Sequence, residues 1–375
     1  MTNAEKGKIQ KEIVDLLPEK PHGRLLLAPR IGKSKLAIDI IKRDNPKTIL
    51  WVTPLAELAT VTIPEEFNTW KAKKFIKGLT TVTWTSLDTI EGHFEMIILD
   101  EEQFITDNNS LNLRSGKLTA DYIVSMTGTE TKHQVKMDLY NQLQLPVLYK
   151  LDINQAVDIG ILSNYVIKVI EVDMTNDKVI KSGTKDKPFF VSETTNYQYL
   201  SQTMKVALAQ KRKDAQFRIL NRMRAIYNSP SKTNVAKYLM KQLDGRKLFF
   251  CASIDQAESI CENTYHSKSD GKNLRKFING EVNEVAMVNA GGVGVTYKEI
   301  NHLVMVQADS DKNGLTSQKI CRTLLQQPDY KATIWIICLT GTQDEKWVES
   351  TLENFDKTKI EFIRFKNIEN QNVKL

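Results

Sequence analysis

Gly32, Lys33 and Ser34 are the residues whose types and spacing first suggest chemistry in this chain. They close the stretch Arg24–Ser34, R-L-L-L-A-P-R-I-G-K-S. There an apolar run, Leu25 to Leu27, ends in a loop, after which Leu36, Ala37, Ile40 and Ile41 recur at helical spacing. Strand, loop and helix in that order favour an anion. The first N–H groups of a helix lack intrahelical partners and carry the positive end of its dipole. Lys33 would reach the β- and γ-phosphates of a nucleotide, and the Ser34 hydroxyl would hold Mg2+. Gly32, Arg30 and Lys35 complete the candidate phosphate-binding set. Two positions depart from the full phosphate-loop pattern. Leu27 stands where its first glycine belongs, and Arg30 stands where related loops often have another.

Further sets lie downstream. Met96–Gln103 reads M-I-I-L-D-E-E-Q, so an apolar strand delivers Asp100 and Glu101 at its end, 67 residues after Lys33. Asp100 would position Mg2+, usually through water, while Glu101 would orient and deprotonate an attacking water. A plain polar loop after a strand is the alternative. Ser125–Thr129, S-M-T-G-T, offers the hydroxyls of Thr127 and Thr129 to couple such a site to movement elsewhere, although T-G-T also makes an ordinary turn. Asn289–Tyr297, N-A-G-G-V-G-V-T-Y, is either a close backbone approach to phosphate or sugar or a simple glycine-rich turn. In S-Q-K-I-C-R-T-L-L, Ser317–Leu325, Gln318 and Arg322 are four apart and share one helical face. Arg322 could serve as an arginine finger on the γ-phosphate, or the face could be solvated.

The elements that would position these groups follow from the apolar pattern. Residues 5–17 are helical up to Pro18 and carry Gln10 upstream of the loop. Strands are expected at Thr48–Val52, Thr81–Trp84, Met96–Leu99 and Tyr122–Met126, then at Lys247–Cys251, Val285–Val288, Leu303–Val306, Thr333–Leu339 and Ile360–Phe365. A short helix leads into another strand within Asn154–Asp173, and a further helix starts near Ser253. Strands alternating with helices imply parallel βαβ units, whose ligands bind at the carboxyl ends of the strands. Residues 174–194 are polar and strand-poor and expected to form a loop or excursion; residues 195–244 read as two or three helical pieces, broken at Ser229-Pro230 and capped by Gly245.

The chain has 375 residues, long enough for two or three domains, with 41% hydrophobic and 26% charged content. A net charge of +7 permits a polyanionic partner without requiring one. The four cysteines form no C-x-x-C pair, which argues against zinc, and Cys251 and Cys338 lie in apolar runs. They suggest a reducing, cytoplasmic setting. No apolar run is long enough to span a bilayer, and the polar amino terminus has no signal-like apolar region.

Taken in order, A-P-R-I-G-K-S, W-V-T-P-L-A-E-L, L-D-E-E-Q, S-M-T-G-T, L-F-F-C-A-S, N-A-G-G-V-G-V-T and Q-K-I-C-R-T resemble the motifs of helicase superfamily two, over roughly residues 8–340. T-G-T and A-G-G-V-G look most like the chromatin-remodeller branch, whose members track along duplex DNA, and the compact size is similar to that of phage-encoded members. The resemblance implies an α/β fold of two RecA-like domains with parallel sheets, 1–163 and 164–375, the second opening with the helical excursion 195–244. It implies ATP and Mg2+ as ligands, with ATP in the cleft between the domains. Lys33 and Ser34 would bind phosphate and Mg2+, Asp100 and Glu101 would serve magnesium and water, and Gln10 would contact adenine. Gln103, Thr127 and Thr129 would couple hydrolysis to movement, Gly294 would approach the γ-phosphate and ribose, and Gln318 and Arg322 would face the nucleotide from the second domain. Nucleic acid would meet Thr53, Pro54, Ser86, Ser253 and Asn289. Departures are Leu325 and Cys321, where relatives usually carry arginine and glycine, and Gln103 for the commoner histidine.

Residues 205–224 add Lys205, Lys211, Arg212, Lys213, Arg218, Arg222 and Arg224 against the single acid Asp214. Lys211, Arg218 and Arg222 are expected on one helical face, able to neutralise phosphates or simply solvated. The expected activity is an ATP-dependent helicase or translocase acting on DNA, single-stranded or duplex, or on RNA, in a bacterial or phage-infected cell, with protein partners in replication, recombination or repair. Alternatives are a weakly hydrolysing nucleotide-dependent switch or loader, and the motor of a larger restriction or remodelling assembly.

Overall fold

The computed structural model describes residues 3–128, 130, 134–184, 186–288, 299–308, 315–321, 324 and 331–366. The central apolar runs become strands buried on both faces, as the interior of a parallel sheet requires, while the edge strands at Leu79–Thr83 and Ile360–Arg364 are only partly buried. The chain forms two compact units, the first running up to Leu162 and also holding a short helix near residue 318, the second beginning at Ser163.

In the first unit, the strands are β1 (Gly23–Leu27), β2 (Ile49–Thr53), β3 (Leu79–Thr83), β4 (Gly92–Asp100), β5 (Leu118–Thr127) and β6 (Val147–Leu151). They pair in parallel in the order β3-β2-β4-β5-β1-β6. The helices are α1 (Asn3–Leu16), α2 (Lys33–Asp44), α3 (Ile63–Thr69), α4 (Asp107–Arg114), α5 (Gln134–Gln142) and α6 (Ile153–Asp158). Helix α2 buries Leu36, Ala37, Ile40 and Ile41, the stripe that predicts it. The register sets Leu26 beside Thr127 and Asp100 beside Met126, so the ends of β1, β5 and β4 lie side by side.

The second unit holds β7 (Asn164–Val172), β8 (Ile180–Gly183), β9 (Pro188–Val191), α7 (Glu193–Ala209), α8 (Ala215–Tyr227), α9 (Pro230–Gln242), β10 (Lys247–Cys251), α10 (Ile254–Ile260), β11 (Thr264–Tyr265), α11 (Lys272–Ile278), β12 (Glu284–Val288) and β13 (His302–Met305). Helix α12 (Leu315–Cys321) groups with the first unit, after which β14 (Lys331–Leu339), α13 (Asp344–Leu352) and β15 (Ile360–Arg364) complete the second. Its sheet runs β11-β12-β10-β13-β14-β7-β15, again parallel throughout. All four cysteines are buried and unbridged.

Two local expectations change. The polar segment 174–194 is not all loop: β8 and β9 pair antiparallel as a hairpin of their own. Both strands are four residues long and largely exposed, so they carry no apolar alternation to read. Gly245 does not cap α9, whose C-cap is Leu243 in extended backbone. Gly245 instead turns the chain into β10 at φ 82°, where a Cβ would stand 2.6 Å from the Asn301 side-chain oxygen.

Candidate active site

The carboxyl edge of the first sheet assembles the chemistry. The loop after β1 ends in Gly32, left-handed at φ 87°, at the N-cap of α2. A Cβ there would meet the Gln10 amide, Nε2, at 2.5 Å and displace it, and the left-handed backbone itself favours glycine. Gln10 is buried and donates from Nε2 to the Ile31 carbonyl at 2.6 Å, tying α1 to the loop. Arg30 is also left-handed, at φ 71°, which explains why a glycine suits that position in related loops. Ser34 lies half-buried in the first turn of α2. Lys35 pairs with Asp39 one turn on, at 2.5 Å, and lies over the Trp70 ring.

Lysines crowd this loop. Lys6, on α1, comes near Gly32, and its amine is held below its ordinary value by burial and by the charges of Arg30 and Lys35. No sequence motif points to Lys6. Like charges gathered around exposed N–H groups make an anion-seeking loop.

Glu101 faces the loop. Lys33 Nζ forms an ion pair and hydrogen bond with Glu101 Oε1. Gln103 and Gln318 each donate from Nε2 to Glu101 Oε2 at 2.9 Å. The sequence resemblance assigns Gln318 to the second domain, but its helix α12 groups with the first unit. Burial alone would raise the Glu101 carboxyl; the Lys33 charge and the bonds from Lys33, Gln103 and Gln318 outweigh it and hold it below its ordinary value. Glu101 is left-handed at φ 53°, a conformation a non-glycine residue keeps only where neighbours enforce it. Gln103 in turn accepts from the Thr127 hydroxyl at 2.7 Å, which links the end of β5 to Glu101.

Asp100 is buried at the end of β4, and its Oδ1 has no hydrogen-bond partner among the described residues. Burial pushes its carboxyl up to about 7; the Lys33 charge opposes the rise and the Glu101 charge adds to it. A buried carboxylate oxygen with nothing to accept from is suited to a cation or its water shell. No group of three or more His, Cys, Asp or Glu ligands exists among the described residues. Mg2+ uses one or two protein ligands and completes its shell with phosphate and water. Asp100 and Ser34 therefore fit the ion.

Beneath these groups lies a network with no sequence signature. Glu102, fully buried, accepts from Arg24 Nη2 at 2.6 Å and Nε at 2.8 Å, and from Ser125 Oγ at 2.5 Å. The Arg24 guanidinium lies 4.0 Å from the Tyr140 ring centroid, and Tyr140 OH donates to the Glu102 carbonyl. The carboxylate thus ties β1 and β5 to the residue following Glu101. Breaking such a buried pair costs about 3–5 kcal/mol.

The residues expected to meet nucleic acid are placed unevenly. Thr53 is wholly buried at the end of β2, because the strand is covered on both faces, and so does not present its hydroxyl. Pro54 is half-buried and Ser86 exposed. Ser253 caps α10 and donates to Asn228 Oδ1 at 2.6 Å, on the wall of a polar groove of about 480 Å³ between α9 and α10. The expected helical face Lys211, Arg218 and Arg222 does not exist as such. The helix breaks after Ala209, Lys211 sits in the turn at φ 49°, and α8 begins at Ala215. Arg218 is half-buried and paired with Asp214 at 3.0 Å. Thr129, Asn289, Gly294 and Arg322 lie outside the described residues.

No family model matches the chain, and no curated protein matches it. Solved structures do. The helicase domain of Pyrococcus furiosus Hef is 13% identical, with TM-score 0.51 over 92% of this chain and 97% of that one. A point variant of S. cerevisiae Dbp5 bound to RNA and ADP BeF3 is also 13% identical, with TM-score 0.56 over 97% and 91%. Dbp5 bound to the same ligands gives 0.55 over 96% and 90%. At this identity the likeness is one of fold: two RecA-like α/β units with parallel sheets. Among the described residues, no helix is long and apolar enough to cross a membrane.

Proposed function

We propose that the chain is a nucleic-acid-dependent ATPase of helicase superfamily two, coupling hydrolysis of the β–γ anhydride to movement on DNA or RNA. The observation that carries this is the convergence of Lys33, Glu101, Gln103 and Thr127 at one sheet edge. Lys33 and the loop N–H groups bind phosphate; Gln10 and Lys6 flank the loop on the nucleotide side. Asp100 and Ser34 would hold Mg2+, which would neutralise phosphate charge when bound. Glu101 takes a proton from the attacking water, and Gln103 with Thr127 transmits the state of the site through β5. Arg322 acts as the arginine finger and Gly294 approaches the γ-phosphate and ribose, in domains dividing at 163/164. Pro54, Ser86, Ser253 and Asn289, with the basic excursion, meet nucleic acid; the buried Thr53 does not. The T-G-T and A-G-G-V-G runs support a remodeller-like branch.

A second reading, a weakly hydrolysing switch, is favoured by one observation: Glu101 is already neutralised by Lys33. ATP turnover measured with single-stranded DNA, duplex DNA, forked DNA and RNA decides. Strong stimulation by one polymer supports the motor. Nucleotide-dependent binding with negligible turnover supports the switch. Failure of nucleotide to bind at all would overturn both.

A further inference from the structure

The whole net charge of the chain sits in one excursion. Residues 174–228 contain eleven lysines and arginines against four acids, an excess of seven that equals the +7 of the entire chain. The remaining 320 residues are therefore electrically balanced. The same excursion carries exposed aromatic rings. Of the large aromatics exposed among the described residues, Phe189, Phe190, Tyr199 and Phe217 lie here, and only Phe362 lies elsewhere. An exposed aromatic ring is disfavoured unless something covers it, and these four lie on one strongly basic stretch of sequence.

The rings are held outward by local structure. Phe189 and Phe190 are neighbours on β9, in a two-stranded hairpin that joins neither large sheet. Phe190 stands opposite Lys181 across the hairpin, so ring and cation share a face. On α8, Phe217 and Leu220 are one turn apart and exposed, with the exposed Arg224 one turn further. Lys211, Arg212 and Lys213 fill the turn that precedes this helix.

We infer that this excursion is a single-strand-binding appendage, in which Phe189, Phe190 and Phe217 stack on unpaired bases while the lysines and arginines neutralise the backbone. The inference rests on the nucleic-acid reading above and refines its substrate: unpaired strand, DNA or RNA. Stacking faces with interspersed positive charge suit a single strand because every base offers a π-face once it is unpaired. A duplex hides those faces and would use only the charge. An anionic protein partner would use the charge but would have no general need for so many rings.

The test measures affinity of the full chain, at fixed salt, for oligothymidylate, for an abasic strand of the same length, and for blunt duplex. Phe217→Ala and the double variant Phe189→Ala/Phe190→Ala should each weaken oligothymidylate binding about tenfold or more, the range for removing one stacked ring. Neither should change on the abasic strand or the duplex. Phe217→Trp should retain the affinity, which separates stacking from damage to the helix. Unchanged oligothymidylate binding in the alanine variants, or an equal weakening on the abasic strand, overturns the inference. The outcome is independent of the motor reading, because it reads binding without ATP. A chain with no ATP turnover but with this binding pattern would defeat the motor and keep the appendage.

Discussion

Charge is handled in opposite ways at the carboxyl edge of the first sheet and in the excursion of the second unit. At the sheet edge the charged groups around Glu101 are at least half-buried, and several, though not Asp100, are paired: Lys33 by Glu101, Arg24 by Glu102, Lys35 by Asp39. In the excursion, basic residues outnumber acids almost threefold and most side chains stand in water. The same residue types therefore do two kinds of work. Buried, a charge fixes geometry, since moving it away from its partner is expensive. Exposed, it is screened and cheap, and its value lies in recruiting a polyanion.

If that contrast is right, the largest effect belongs to the loop. Lys33→Ala should reduce ATP turnover to background with the fold intact, checked by phosphate release and by melting; turnover near the wild-type rate would detach the loop from the chemistry. Next comes Glu101→Gln, which keeps shape but cannot take a proton. Hydrolysis should fall by roughly 10²-fold or more, while nucleotide affinity holds or rises, since the amide no longer competes for Lys33. Weaker binding would sink the proposed role.

The pH response of stability tests the buried side further. The carboxyl of Asp100 in the folded chain titrates at about 7, above its ordinary 3.8. Between those values the folded protein keeps a proton that the unfolded chain has released. Stability is therefore lost as pH rises through that window and is level above it. Asp100→Asn removes this titration. In chelator, the melting temperature of the wild type should drop relative to Asp100→Asn across the window, and parallel curves would contradict the effect of burial. The smallest effect lies in the excursion. Neutralising Lys211, Arg218 and Arg222 should lower the log–log salt slope of nucleic-acid binding by about 0.7–0.9 for each phosphate no longer neutralised. Arg218 is already engaged by Asp214, so a total below that of three phosphates is expected, and an unchanged slope would assign all three side chains to solvent.

Legibility in the sequence follows range. Strand β10 matches its apolar run residue for residue, and the phosphate loop and the D-E-E-Q turn are readable because each is a local pattern. The Arg24–Glu102 pair is not, since its partners are 78 residues apart and Arg24 reads as a polar residue at the margin of a strand. Lys6 escapes because only the packing of α1 against the loop gives it meaning. The supposed face through Lys211 fails for a backbone reason: helical spacing does not continue across the turn at residues 210–214. Strand β6 escapes because only Leu151 of Val147–Leu151 is buried and its burial does not alternate.

The Lys33–Glu101 contact has one more consequence. In the resting chain the carboxylate that should activate water occupies the very cation that should greet the phosphate. Entry to the loop is thus a displacement, and an arriving anion must outcompete a resident one. A weakly charged solute has little leverage for that exchange, whereas a triphosphate brings several charges at once. In the proposed mechanism the same exchange would free Glu101 only when its replacement is in place, so the base would be armed by the arrival of the substrate.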